Sequence, residues 1–183
     1  MEKAITYIGG YSPIVLLILT VVIFYVEKRP QTMLIYLIGF VLNVVLNIIL
    51  KYIIQQPRPF RNEAEERMFN AAKSRGKLFE FNVYGMPSGH AQMAAFSLTF
   101  MILYLGQYSL KVSSTNIVIL YLALTLTCLY QRVDERYHTN AQVIVGSLVG
   151  GGFAYLMYFL IRKNKAGNLK RKPDDNANTN PYI

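Results

Sequence analysis

Residues 4–26 read AITYIGGYSPIVLLILTVVIFYV, 23 positions without one Asp, Glu, Lys or Arg. A helix rises 1.5 Å per residue, so about 20 residues cross a hydrocarbon core about 30 Å thick, and this stretch is long enough to span it. Four more charge-free windows follow at 30–50, 81–110, 112–131 and 137–161, of 21, 30, 20 and 25 residues, and every charged residue of the chain lies outside the five. A chain of 183 residues with 53% hydrophobic and 16% charged positions therefore reads as one all-α, polytopic membrane helix bundle of about five transmembrane helices. That pattern excludes a water-soluble core domain, a secreted disulfide scaffold and a disordered basic protein. The single Cys128 can form no disulfide within the chain and reads as a small packing residue. A net charge of +9 points toward nucleic acid, but the basic residues flank hydrophobic spans and form no single basic face, which argues against that partner.

The domain expected from this is a transmembrane unit over 1–161 followed by a basic, disordered tail over 162–183. The first window is too long for a signal peptide's apolar region and is followed by no small-x-small cleavage site, so it is kept as helix one. A polar turn at 27–32 leads to helix two at about 33–54, closed by Pro57 and Pro59. Residues 55–86 form the longest polar connection, an interfacial loop or lid. Within it, 62–77 reads either as a short amphipathic helix on the bilayer surface or as a solvated loop. Helix three is expected from Pro87 to 105, helix four to about 131 and helix five over about 137–161. Tyr7, Tyr11, Tyr104 and Tyr158 sit near window ends and read as interfacial belt residues. Gly146 and Gly150, four apart, read as a site of close helix packing.

Five alternating spans put the loop between helices two and three on the same membrane side as the loop between helices four and five. Those loops carry Lys51, Arg58, Pro87-Ser88-Gly89-His90, Arg132 and His138, including both histidines of the chain. Taken singly, each has an ordinary reading. Lys51, Arg58 and Arg132 can be interfacial anchors, the histidines water-satisfied helix-end residues, and Pro87-Ser88 a helix start. Together they suit a phosphate carried on a lipid. Guanidinium forks match phosphate oxygens, lysine adds a point charge, and a helix starting near Pro87 offers unpaired backbone N–H groups with Gly89 permitting close approach. One imidazole can attack phosphorus while the other protonates the leaving oxygen and then activates water. Nothing in that scheme requires a metal or another cofactor, and the two histidines with Asp134 and Glu135 lack a recognised ligand spacing.

In these residues the chain resembles the PAP2 superfamily of membrane phosphatases, the type 2 phosphatidic acid phosphatases, whose motifs are KxxxxxxRP, PSGH and SRxxxxxHxxxD. Residues 51–59 (KYIIQQPRP) fit the first and 87–90 (PSGH) the second. Arg132 and His138 keep the spacing of the third, but Gln131 stands for its Ser and Gln142 for its Asp. The resemblance implies Lys51, Arg58, Arg132, Ser88 and the Gly89 N–H on phosphate, His138 as nucleophile and His90 as general acid. It implies Gln142 as the group that orients the His138 ring, an amide that cannot supply the Asp's negative charge. The segments YGMPSGHAQ and RYHTNAQV look like the dolichyl diphosphatase branch, which also carries Gln at the last position. That likeness implies hydrolysis of a polyprenyl diphosphate to its monophosphate through a phosphohistidine, without a metal.

Two alternatives stay open: hydrolysis of phosphatidic acid or another lipid monophosphate, and a non-catalytic protein that binds lipid phosphates in the membrane. Setting aside Lys51, Arg58 and Arg132 leaves 7 basic residues on the side of the site against 9 on the other. The positive-inside rule then turns the tail toward the cytoplasm, where it touches anionic lipid. The site face becomes lumenal or extracellular, in the endoplasmic reticulum if the cell is eukaryotic.

Overall fold

The computed structural model describes residues 2–60, 62–74, 84–107 and 113–169. They form six helices: α1 (Glu2–Val26), α2 (Pro30–Ile54), α3 (Glu63–Ser74), α4 (Gly89–Leu105), α5 (Ser114–Asp134) and α6 (Asn140–Leu169). The all-α expectation holds. By length and composition α1, α2, α5 and α6 can each cross a membrane. The fifth expected span, α4, has 17 residues and lies at the centre of the bundle, against α1, α2, α5 and α6.

Each outer helix buries a narrow stripe at helical spacing and turns its other face outward. On α2 the stripe is Thr32, Tyr36, Gly39, Asn43, Asn47 and Lys51. On α5 it runs through Ile117, Tyr121, Thr125, Cys128 and Arg132. The exposed positions between them, such as Val41, Val45, Ile49, Leu122 and Leu126, are aliphatic, as a lipid-facing surface requires. Polar and small residues thus share the inside of this bundle with aromatic ones. Gly146 and Gly150 bear out the close-packing expectation: a Cβ at Gly146 would meet the Ser88 carbonyl oxygen at 2.5 Å, and one at Gly150 would collide with the Gln92 carbonyl. Their absence of side chain lets the α6 backbone lie against the start of α4.

Several boundaries differ from the expected ones. Helix two begins at Pro30, because proline is pre-set for the first helical position and lacks the N–H that would go unpaired there. Helix three begins at Gly89, with Ser88 extended at its N-cap, so Pro87 lies outside it. The last helix starts at Asn140, which leaves His138 in the preceding turn. It runs on to Leu169, since Arg and Lys are good helix formers that prolong the apolar span. α6 thus takes in residues 162–169 of the expected tail, and 170–183 lie outside the described residues. Tyr7 and Tyr11 are exposed, but Tyr104 and Tyr158 are buried in an aromatic core with Phe24, Tyr36, Phe96 and Phe100, and are not belt residues. Within 62–77, residues 75–77 lie outside the described residues, and over Glu63–Ser74 the structure forms α3. Asn62 Oδ1 caps it by accepting from the Glu65 N–H at 2.9 Å. Phe69 anchors α3 between the rings of Phe60 and Tyr84.

Candidate active site

Four helix termini meet at one end of the bundle: the last turns of α2 and α5 and the first turns of α4 and α6. α2 stops there because Gln55 turns left-handed (φ 50°) and donates its N–H to the Lys51 carbonyl at 3.0 Å. The connection then passes Pro57, which pairs with Tyr84 in an isolated bridge, and Gly85 donates to the Gln56 carbonyl at 2.8 Å. Both ends of the long polar connection are thereby held side by side over the helix ends.

A cavity of about 500 Å³ opens between them, lined by Asn47, Lys51, Arg58, Gly89, His90, Arg132, Tyr137 and His138, with Val44 and Ile48 on its apolar side. Six of the eight residues singled out from the sequence therefore face one space. Ser88 and Gln142 do not line it; they sit fully buried behind its wall, Ser88 with an unpaired hydroxyl. Among the described residues three cations border the cavity and no carboxylate does. Lys51 Nζ donates to the Tyr84 carbonyl at 2.8 Å. Arg132 Nε donates to Gln131 Oε1 at 2.6 Å, while its guanidinium lies 4.8 Å from the centre of the Tyr137 ring. Arg58 Nε is buried without a hydrogen-bond partner. Burial first, then the positive Arg132, disfavours the charged form of Arg58. A guanidinium stays protonated regardless, so this repulsion persists until an anion relieves it.

The first turn of α4 adds backbone donors. Gln92 N–H is the first to pair inside the helix, with the Ser88 carbonyl at 3.0 Å, so the N–H groups of Gly89, His90 and Ala91 precede the ladder. A Cβ at Gly89 would stand 3.0 Å from Asn47 Oδ1, so glycine keeps this turn against α2. The His90 ring faces the cavity from the first turn of α4. His138 Nδ1 lies 3.2 Å from Gln142 Oε1. That oxygen only accepts, so Nδ1 carries the hydrogen and Nε2 keeps its lone pair. Burial, then Arg58 and Lys51, pulls the His138 pKa down to about 3 against the Gln142 hydrogen bond, which keeps the imidazole neutral at physiological pH.

Two features escaped the sequence reading. Thr139-Asn140-Ala141-Gln142 is a reciprocal cap: Gln142 N–H donates to Thr139 Oγ1 at 3.3 Å, and Thr139 N–H donates to Gln142 Oε1 at 3.2 Å. The T-x-x-Q pattern before an apolar run carried that signal. The second is a buried amide chain under the cavity. Asn47 Nδ2 donates to Gln92 Oε1 at 2.8 Å and to the Pro87 carbonyl at 3.2 Å, and Gln92 Nε2 donates to Asn43 Oδ1 at 2.9 Å. Asn43, Asn47 and Lys51 at spacing four on an apolar helix were its trace.

The model of the PAP2 superfamily matches residues 32–166, which includes every residue of this site. The chain belongs to the PAP2 superfamily. Among curated PAP2 relatives, it is 32% identical to the dolichyldiphosphatase of Saccharomyces cerevisiae over 130 residues, 67% of this chain and 49% of that protein. It is 36% identical to lipid phosphate phosphatase epsilon 1, chloroplastic, of Arabidopsis thaliana over 78 residues, 40% of this chain and 27% of that protein. The chain thus spans half or less of the length of these relatives. No solved structure matches it.

Proposed function

We propose that this membrane protein is a lipid phosphatase that hydrolyses a polyprenyl (dolichyl-type) diphosphate to the monophosphate through a phosphohistidine. The observation that carries the reading is the cavity itself. Lys51, Arg58 and Arg132 face it with no carboxylate among the described lining residues, beside the neutral imidazole of His138 and the open end of α4. The relatives named dolichyldiphosphatase and lipid phosphate phosphatase support the same substrate class.

In this reading the terminal phosphate sits among the three cations and the Gly89 N–H. Nε2 of His138 attacks phosphorus as the bond to the bridging oxygen breaks, and His90, holding a proton taken up with the anionic substrate, passes it to the departing lipid monophosphate. Water then attacks the phosphohistidine, its proton returns to His90, and inorganic phosphate leaves with Nε2 restored. The cations and N–H groups stabilise the charge on the equatorial oxygens through both steps. Ser88 and Gln142 act from behind the wall. No metal is assigned a part. With Lys51, Arg58 and Arg132 set aside, 9 basic residues on the tail side against 7 on the side of the site support a lumenal or extracellular site and a cytoplasmic C-terminus. The Arabidopsis relative favours a second substrate reading, a lipid monophosphate such as phosphatidic acid.

Purified protein in chelator should release phosphate from a polyprenyl diphosphate in preference to phosphatidic acid, and His138→Ala should not. Release by the variant at the wild-type rate would overturn the reading. Inertness of the wild type toward the whole lipid panel, with phosphate still bound, would leave a non-catalytic lipid-phosphate binder.

A further inference from the structure

The amide of Gln142 does more than face a histidine. Its Oε1 accepts from Thr139 N–H at 3.2 Å and lies 3.2 Å from His138 Nδ1. Its Nε2 donates to the Pro57 carbonyl at 2.7 Å and to Gln56 Oε1 at 3.3 Å. Its backbone carbonyl accepts the Ser88 N–H at 3.0 Å. One residue, 1% exposed, is therefore bonded to the segment carrying Arg58, to the turn carrying His138 and to the residue that caps α4. The room for it comes from Gly85, where a Cβ would meet the Gln142 amide at 2.5 to 2.7 Å.

The donor half of this arrangement has no counterpart in a carboxylate. The Pro57 carbonyl only accepts, so it fixes which way the amide points and requires an N–H opposite it. An aspartate or glutamate at 142 would set an acceptor against an acceptor, and aspartate would also fall one carbon short. Pro57 is the residue immediately before Arg58, and the Pro57-Arg58-Pro59 backbone is stiff at both prolines. Holding the Pro57 carbonyl thus holds the origin of the Arg58 side chain, whose Nε the protein leaves unpaired.

We propose that Gln142 is a positioning residue that sets Arg58 and His138 in register with each other through opposite ends of one amide, so that glutamine at 142 is a requirement of this site and not a weakened aspartate. The proposal rests on the cavity being a phosphate site, and it concerns binding as well as turnover. Its effect on phosphate passes through Arg58.

The test is a double-mutant cycle read as the affinity of the detergent-solubilised full chain for inorganic phosphate, by titration calorimetry. Gln142→Met keeps the side-chain volume and adds no charge. It should weaken phosphate binding about tenfold in the wild-type background and less than about twofold in the Arg58→Ala background, because residues acting as one unit are not additive. Losses that add in the two backgrounds, or unchanged affinity in Gln142→Met, would overturn the proposal. Should the Met variant fail to fold, Gln142→Glu carries the test. It keeps the acceptor toward His138 and Thr139 and should still raise KM more than it lowers kcat, whereas a residue that only orients the ring would give kcat at or above wild type. Failure of the wild type to turn over any lipid, with the cycle still non-additive, would remove the proposed reaction and leave this coupling standing.

Discussion

Beside the cavity, α2 meets α4 through amides, with Asn47 bonded to Gln92 and to the Pro87 carbonyl. About three turns away the same two helices meet chiefly through rings, Tyr36 at 5.2 Å from Phe100 and 5.7 Å from Phe96 between centroids, with the Tyr36 and Ser97 hydroxyls bonded at 2.7 Å. The ring end is a packed cluster of Phe24, Tyr36, Phe96, Phe100 and Tyr104, contacts that tolerate small displacements. The amide end is directional. A hydrogen bond to a particular carbonyl fixes rotation and rise of one helix against the other, which is what a site assembled from four helix termini needs. The contrast teaches that stability and alignment are separable in this bundle, and mutations can pull them apart.

The largest effect belongs to the ring end. Phe100→Ala should cost about 3 kcal/mol of stability, seen as a lower Tm in detergent, while the fraction still folded keeps its kcat/KM. A matching loss of catalytic efficiency in the folded fraction would break the separation. At the other end, Arg132→Ala should lower kcat/KM about 100-fold and leave Tm unchanged or raised, because it removes a buried cation that repels Arg58. Asn47→Ala sits between the two. It leaves the Gln92 amide and the Pro87 carbonyl without a donor, which should cost about 1 to 2 kcal/mol of stability and misalign the first turn of α4 enough to lower kcat.

The smallest effect is a flat profile. His138 has a folded pKa near 3, below the unfolded value, so the folded protein binds fewer protons than the unfolded chain between those values. Its contribution to stability is complete above about pH 6.5 and is lost as pH falls toward 3. In kcat/KM, corrected for the ionisation of the substrate phosphate, no acid limb from His138 should appear between pH 5 and 7. NMR of ring-labelled ligand-free protein should find His138 neutral across that range, and a midpoint near 6.5 would show that the cavity does not depress it.

Much of this was legible in the sequence because the rules behind it are local. Charge-free windows gave the helices, and the order of Lys51, Arg58, His90, Arg132 and His138 along an alternating bundle brought them to one end. What stayed hidden depended on partners distant in sequence. Tyr104 and Tyr158 sit at window ends like belt residues, and only the central placement of α4 makes them core. Gln142 looked like an aspartate without its charge. Its second function needs the Pro57 carbonyl, 85 positions away in the chain, and no periodicity announces such a contact.

The most direct measurement is a rapid acid-free quench of the purified protein mixed with polyprenyl diphosphate labelled in the terminal phosphate. Wild type should carry label on His138 that survives alkali and is released by mild acid, as a phosphoramidate is, and His138→Ala should carry none. Turnover by the wild type with no covalent label at any quench time, or equal label in the variant, would contradict the account.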